Sequence, residues 1–239
     1  MAAVRNPYAD LPEADQQLLI DAHFHARAAI EDALDSHGAE PGLGTAIAHA
    51  RLAFLDAELQ PVLAAMTRKG TPVDCRRGCC SCCTLMVEVT PDEVFALVDH
   101  LTATLDAVAL AELKARAAEV ERRGRGLSSE HRHQLRLFCP VLDRATGACL
   151  GHPVRPTPCQ GYLSLDHRRC EADHAGPPTP IPQPVAADHL RDAVIAARQI
   201  VLEDAGFDQK RVELSAALTA AFADPEAEAR WFATAKCAG

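Results

Sequence analysis

The chain has 239 residues, 10 cysteines and a formal net charge of −9. That length buries a sizeable core without covalent staples, so the cysteines are not needed to hold a small fold together. The negative balance excludes the basic surface that nonspecific nucleic-acid binding requires, and no apolar run reaches the roughly 18 residues that would suggest a membrane span.

Alanine and leucine dominate, aromatic residues make up 4% of the chain and β-branched runs are scarce, so the composition predicts a mostly α fold. Residues 12–35 and 45–68 read as two helices separated by the breaker SHGAEPGLG, and Pro61 is expected to kink or restart the second. The stretch TPDEVFALVDHLTATL opens with Thr90 as N-cap, Pro91 at the first helical position and Glu93 three residues after the cap, a capping box that fixes a helix start. A charged helix follows over about 106–123. Residues 139–182 are rich in proline, carry four evenly spaced cysteines and read as loops and short turns. Helices are predicted again at about 185–204, 209–222 and 225–236, the last holding Trp231, and no internal repeat is present.

The N-terminal stretch MAAVRNPYADLPEADQQLLIDAHFHARAAI has no basic start followed by an uninterrupted apolar run, which points to a cytoplasmic protein rather than a secreted one. In a reducing cytosol, clustered cysteines bind metal or carry redox chemistry more often than they form structural disulfides. Five of the cysteines fall in CRRGCCSCC, residues 75–83: Cys75, Cys79, Cys80, Cys82 and Cys83. The distal set is Cys139, Cys149, Cys159 and Cys170. Soft thiolates suit zinc or iron–sulfur clusters, and a tetrahedral site draws ligands close in sequence together with others from elsewhere.

On a helix at about 100° per residue, Cys75, Cys79, Cys82 and Cys83 would share roughly a 100° arc, with Cys80 pointing away. Gly78 weakens such a helix and offers a tight turn instead. Adjacent pairs such as Cys82 and Cys83 do not easily serve one tetrahedron, so the pattern permits two metal centres or one cluster with spare thiols. Cys75, Cys79 and Cys82 also have the Cys-x3-Cys-x2-Cys spacing of radical-SAM enzymes. The alternating strands and helices of that family's barrel do not follow here.

The stretches VDCRRGCCSCCTLMVEVTPDEV and CPVLDRATGACLGHPVRPTPCQGYLSLDHRRC resemble the YkgJ-type cysteine-cluster family, a zinc- or iron-chelating domain. The matching pieces are Gly78 to Cys83, Cys139-Pro140-Val141-Leu142, Gly147-Ala148-Cys149 and Arg155-Pro156-Thr157-Pro158-Cys159, within about residues 73–170. The resemblance implies a bound zinc ion or iron–sulfur cluster held by Cys75, Cys79, Cys82, Cys83, Cys139, Cys149 and Cys159, with Cys170 as a further member. The sequence departs from the family at Cys80 and at His152, where an aromatic residue is usual. Arg155 matches the family arginine, with a role in balancing thiolate charge. Arg76, Arg77, Arg168 and Arg169 are further local cations that would offset a negatively charged thiolate site.

Other candidates have plainer readings. Asp21, His23 and His25 lie on a helix surface, His131 and His133 on a surface helix end, and Cys237 in the C-terminal tail. His152 and His167, between distal cysteines, are the better substitute ligands, because zinc accepts imidazole. Tyr162 reads as a packing residue. No nucleophile elbow or phosphate-binding loop is present.

The expected organisation is an N-terminal helical segment over 1–70, a cysteine-cluster region over 71–175 and a C-terminal helical segment over 176–239, together in one domain. The expected function is a metal-binding protein whose partner is the metal ion or cluster, without nucleic acid or membrane. The rival is a metal- or iron–sulfur-dependent enzyme, in a protein-modifying variant motivated by the cysteine block's resemblance to flagellin lysine methylases.

Overall fold

A computed structural model describes residues 13–38 and 40–235. Two long helices open it, α1 (Glu13–His37) and α2 (Leu43–Arg68), and α2 runs through Pro61 without a break. After the cysteine block come a two-residue strand β1 (Glu88–Val89) and the helix α3 (Pro91–Thr104). The capping box stands as the sequence places it, with the Thr90 backbone N–H donating to Glu93 Oε2 at 3.2 Å. α4 (Ala107–Gly124) starts at Asp106, whose carboxylate accepts from the Ala109 N–H.

Beyond α5 (Ser129–Gln134), the proline-rich segment is more ordered than its composition predicts. It contains an antiparallel hairpin of β2 (Leu142–Asp143) and β3 (Ala148–Cys149), then the short helices α6 (Thr157–Gly161) and α7 (His167–Ala175). α8 (Val185–Asp204) follows Pro184. β4 (Val212–Glu213) pairs antiparallel with β1, which delays the next helix, α9 (Leu214–Ala223), by five residues from the predicted start at 209. α10 (Ala227–Phe232) closes the described chain with a buried Trp231; residue 12 and residue 236, the outer ends of two predicted helices, lie outside the described residues, as does Cys237.

The protein is therefore mostly α, with two-residue strands only as clasps. The N- and C-terminal helical segments pack on one another: Leu19, Ala22 and Ala26 of α1 meet Leu55 and Leu59 of α2 and Ala187, Leu190, Val194 and Ala197 of α8. Alanines at those seams let helix backbones approach, and each buried leucine contributes about 1.5–3 kcal/mol by leaving water. A second cluster joins Val94, Leu97 and Leu101 of α3 to Leu113 of α4, Val141, Val154 and Leu214, with Cys139 and Cys149 at its edge. This second cluster seats Cys139 and Cys149 against α3. No helix among the described residues is long and apolar enough to cross a membrane.

Candidate metal centre

The cysteine block is not one continuous helix. Gly78, at φ 89°, makes a tight turn in which the Cys79 N–H donates to the Arg76 carbonyl at 3.1 Å. A 3₁₀ helix then spans Ser81–Thr84, with Cys80 at its N-cap. Cys82 and Cys83 are neighbours in that helix, and their thiols make a hydrogen-bonded contact with each other. The helical arc expected from spacing is replaced by a turn and a 3₁₀ segment.

Four other pieces of chain close on this block. The Asp74 N–H donates to the Ser164 carbonyl at 2.8 Å, and the Ser164 N–H lies 3.2 Å from Cys75 Sγ. α7 packs on the 3₁₀ helix and carries the buried Cys170, whose thiol points to the Asp166 carbonyl at 3.6 Å. The Cys139 N–H donates to the Cys83 carbonyl at 2.6 Å. Cys149 pairs with Leu142 in the hairpin, whose turn lies against the block: a Cβ on Gly147, at φ 69°, would stand 2.4 Å from the Gly78 carbonyl oxygen.

Cys159 is held from below. Glu93 caps α3 with one carboxylate oxygen and with the other accepts from the Thr157 N–H at 2.8 Å and the Thr157 hydroxyl at 2.7 Å, fixing the start of α6. Gln160 ties the same short helix to α2 through the Leu52 carbonyl at 3.0 Å and the Asp56 carboxylate at 2.9 Å. Glu93 itself is buried with Asp92, Arg51 and Arg198, and Arg198 bonds Asp92 at 2.7 Å. Burial alone would raise the Glu93 carboxyl, but Arg198, Arg51 and the Thr157 donors hold it at about 2.

The nine described cysteines are all free thiols. Eight of them share one electrostatic neighbourhood. Cys75 feels Cys82, Cys170 and Cys79; Cys83 feels Cys82, Cys139 and Cys149; Cys159 feels Cys139, Cys82 and Cys149. Cys80 is among the main influences on none of the shifted thiols. Crowding desolvates the set: burial pushes Cys139 up to about 12, raises Cys75, Cys149 and Cys170, and takes Cys159 well above its ordinary value. The contact between Cys82 and Cys83 lowers Cys82 to about 7 and raises Cys83. Cys75, Cys82 and Cys159 nevertheless keep accessible surface, so the set is recessed but open.

Among the described residues, no three Cys, His, Asp or Glu side chains converge closely enough to hold a metal ion as they stand. The donor chemistry fits a soft cation all the same. The sulfurs of the eight thiols each move by rotation about χ1 alone, and a bound soft cation would convert them to thiolates.

Arg155 stands beside Cys149, 3.9 Å from Asp56, with its carbonyl accepting from Arg51 at 3.1 Å. His152 is exposed, its pKa lowered by burial of the ring and by the Arg155 charge. Arg76 reaches Glu171 at 4.0 Å and Arg169 reaches Asp166 at 3.9 Å. Asp21 and His25 are exposed on α1. His131 is exposed as expected, whereas His133 is buried, a correction to its reading as a surface residue. Its Nε2 lies 3.0 Å from the Asp173 carbonyl and 3.4 Å from the Asp173 carboxylate. Beside it a groove of about 450 Å³ runs between Leu85, Glu130, His133, Asp173 and Pro178. Tyr162 is half-buried, and burial, with the nearby Cys82 and Cys170, raises its hydroxyl to about 12.

Sequence reasoning missed the supporting roles of four residues. Ser164 bridges Cys75 and Cys170, and Glu93 and Thr157 seat Cys159. Asp74 accepts from His167 Nδ1 at 2.5 Å, which in the neutral ring leaves Nε2 with the lone pair. The pairs Cys75–Ser164, Glu93–Thr157 and Asp74–His167 are each far apart in sequence; the one local signal is that Asp74 precedes a candidate ligand. Comparison with known proteins finds no matching family model, no matching curated protein and no matching solved structure.

Proposed function

We propose that this chain is a cytoplasmic metal-binding protein that holds zinc, or iron as an iron–sulfur cluster, through Cys75, Cys79, Cys82, Cys83, Cys139, Cys149, Cys159 and Cys170. One observation carries the reading: loop 164–166, α7, Cys139 and the hairpin turn all bond to or pack on the 75–83 block, so the segments that carry these thiols meet there. Neutral thiols bury readily, and a soft cation is what would turn such a set into thiolate ligands. The YkgJ-type resemblance points to the same chemistry and the same residues.

Arg155, with Arg76 and Arg169 nearby, supplies positive charge against a thiolate set, and the Ser164 N–H already lies 3.2 Å from one of its sulfurs. A zinc ion with four sulfur ligands would make a closed, structural site, whereas an iron–sulfur cluster would supply electron transfer or redox sensing. The test is purification without oxygen, followed by metal and sulfide analysis and a visible spectrum. Zinc in a colourless protein, or iron with sulfide and a broad absorbance near about 400 nm, supports the reading; protein free of both metals overturns it.

A further inference from the structure

Cys159 stands between residues that bond to the helical scaffold. Elsewhere the distal segments bond to the cysteine block itself: the Cys139 N–H donates to the Cys83 carbonyl, and the Ser164 N–H reaches Cys75 Sγ. Before Cys159, the Arg155 carbonyl accepts from Arg51 Nη2 of α2 at 3.1 Å, and the Thr157 N–H and hydroxyl both donate to Glu93 of α3. After it, Gln160 donates to the carbonyl of Leu52, the neighbour of Arg51 on α2. Cys159 itself stays accessible between these anchors.

Arg51 is a costly anchor. It is fully buried on α2, and its Nε and Nη1 have no hydrogen-bond partner among the described residues. A buried guanidinium with open donors costs stability that an apolar side chain of similar volume would not. The hydrogen bond that its guanidinium does make goes to the Arg155 carbonyl, four residues before Cys159. Glu93, also buried, sets one carboxylate oxygen on Thr157, two residues before Cys159. Buried charges from two helices thus converge on residues 155–157. Resting on the metal-binding reading above, we propose that Arg51 and Glu93 are positioning residues of the metal site: they clamp residues 155–157 and so set where the Cys159 sulfur stands relative to the cysteine block. Neither touches the metal; both act through Cys159, as hydrogen bonds behind a metal ligand orient it and tune its affinity.

The experiment is chelator competition for the bound metal in whole protein purified without oxygen, with circular dichroism as the check of fold. It compares wild type, Arg51→Met, Thr157→Val, Cys159→Ser and the two double variants that carry Cys159→Ser. Arg51→Met and Thr157→Val each remove one bond of the clamp and should weaken metal binding about 10–100-fold. In the Cys159→Ser background the same changes should cost almost nothing further, because the ligand they place is gone. Leu59→Ala, a packing change in the α1, α2 and α8 seam, is the control: it should lower thermal stability without that change in affinity. If Arg51→Met fails to fold for want of countercharge to Asp92 and Glu93, Arg51→Lys, which keeps the buried charge on a stem one bond shorter, carries the same expectation. Wild-type affinity in a folded Arg51 variant or in Thr157→Val overturns the clamp while leaving the metal reading intact. A loss just as large in the Cys159→Ser background also overturns it, since the residues would then act on the fold at large. Wild type that takes up neither zinc nor iron overturns the metal reading and the clamp together.

Discussion

Cys80 sits beside Cys79 and two residues from Cys82, at the N-cap position of the 3₁₀ helix, and the metal-binding reading leaves it out of the ligand set. Replacing it should therefore leave bound metal unchanged, whereas Cys79→Ser should lower metal content and thermal stability together, because site assembly is coupled to folding. Elemental analysis of the two variants checks this, and equal metal loss from both would contradict the assignment. Glu93 acts at the same scale. Its carboxyl lies at about 2, below the ordinary 4.5, so the stability it lends is fully present above about 4.5 and disappears as pH falls through about 2. Glu93→Gln removes that titration and leaves Arg51 and Arg198 short of countercharge. Urea unfolding should show a loss of about 3–5 kcal/mol at neutral pH and a flatter pH dependence below 4.5 than wild type.

At the scale of elements, the hairpin turn and the Gly78 turn touch backbone to backbone. Gly147→Ala would force a Cβ to 2.4 Å from the Gly78 carbonyl oxygen at a left-handed φ of 69°. Denaturant titration should find it destabilised by about 1–3 kcal/mol, with weakened metal retention because that turn aligns Cys149 with the block. The helices α2, α3, α4 and α8 were legible in the sequence because their signals are local: the SHGAEPGLG breaker before α2, the Thr90–Glu93 box of α3, the charged run of α4 and the proline-rich stretch that ends before α8. The β1–β4 clasp was not, since each strand has two residues and its partner lies over a hundred residues away. α6 and α7 were hidden by proline-rich surroundings, although Pro158 sits within the first turn of α6, where proline is tolerated. Burial of His133 was invisible for a related reason, because Asp173 comes from α7.

Across the whole molecule, two kinds of cohesion divide the work. The α1, α2 and α8 seam is alanine and leucine packing and contains no cysteine, whereas residues 74–84 and 157–175 meet mainly through hydrogen bonds and thiols. Chelation of bound metal should therefore raise amide exchange in 74–84 and 157–175 while slow amides in α1 and α8 keep their protection; hydrogen exchange with and without chelator reads this directly. The cysteine block and the distal cysteines were visible in the sequence, but the helical arc drawn from their spacing gave way to a turn and a 3₁₀ helix, and the folded chain was needed to show that loop 164–166 and the hairpin close on the block. The most direct test of the central claim is the metal content of protein purified without oxygen, measured together with native-state alkylation of its thiols. The account predicts bound zinc, or iron with sulfide, with Cys80 the alkylated thiol of the block. Metal-free protein in which Cys75, Cys82 and Cys159 react as readily as Cys80 would contradict it.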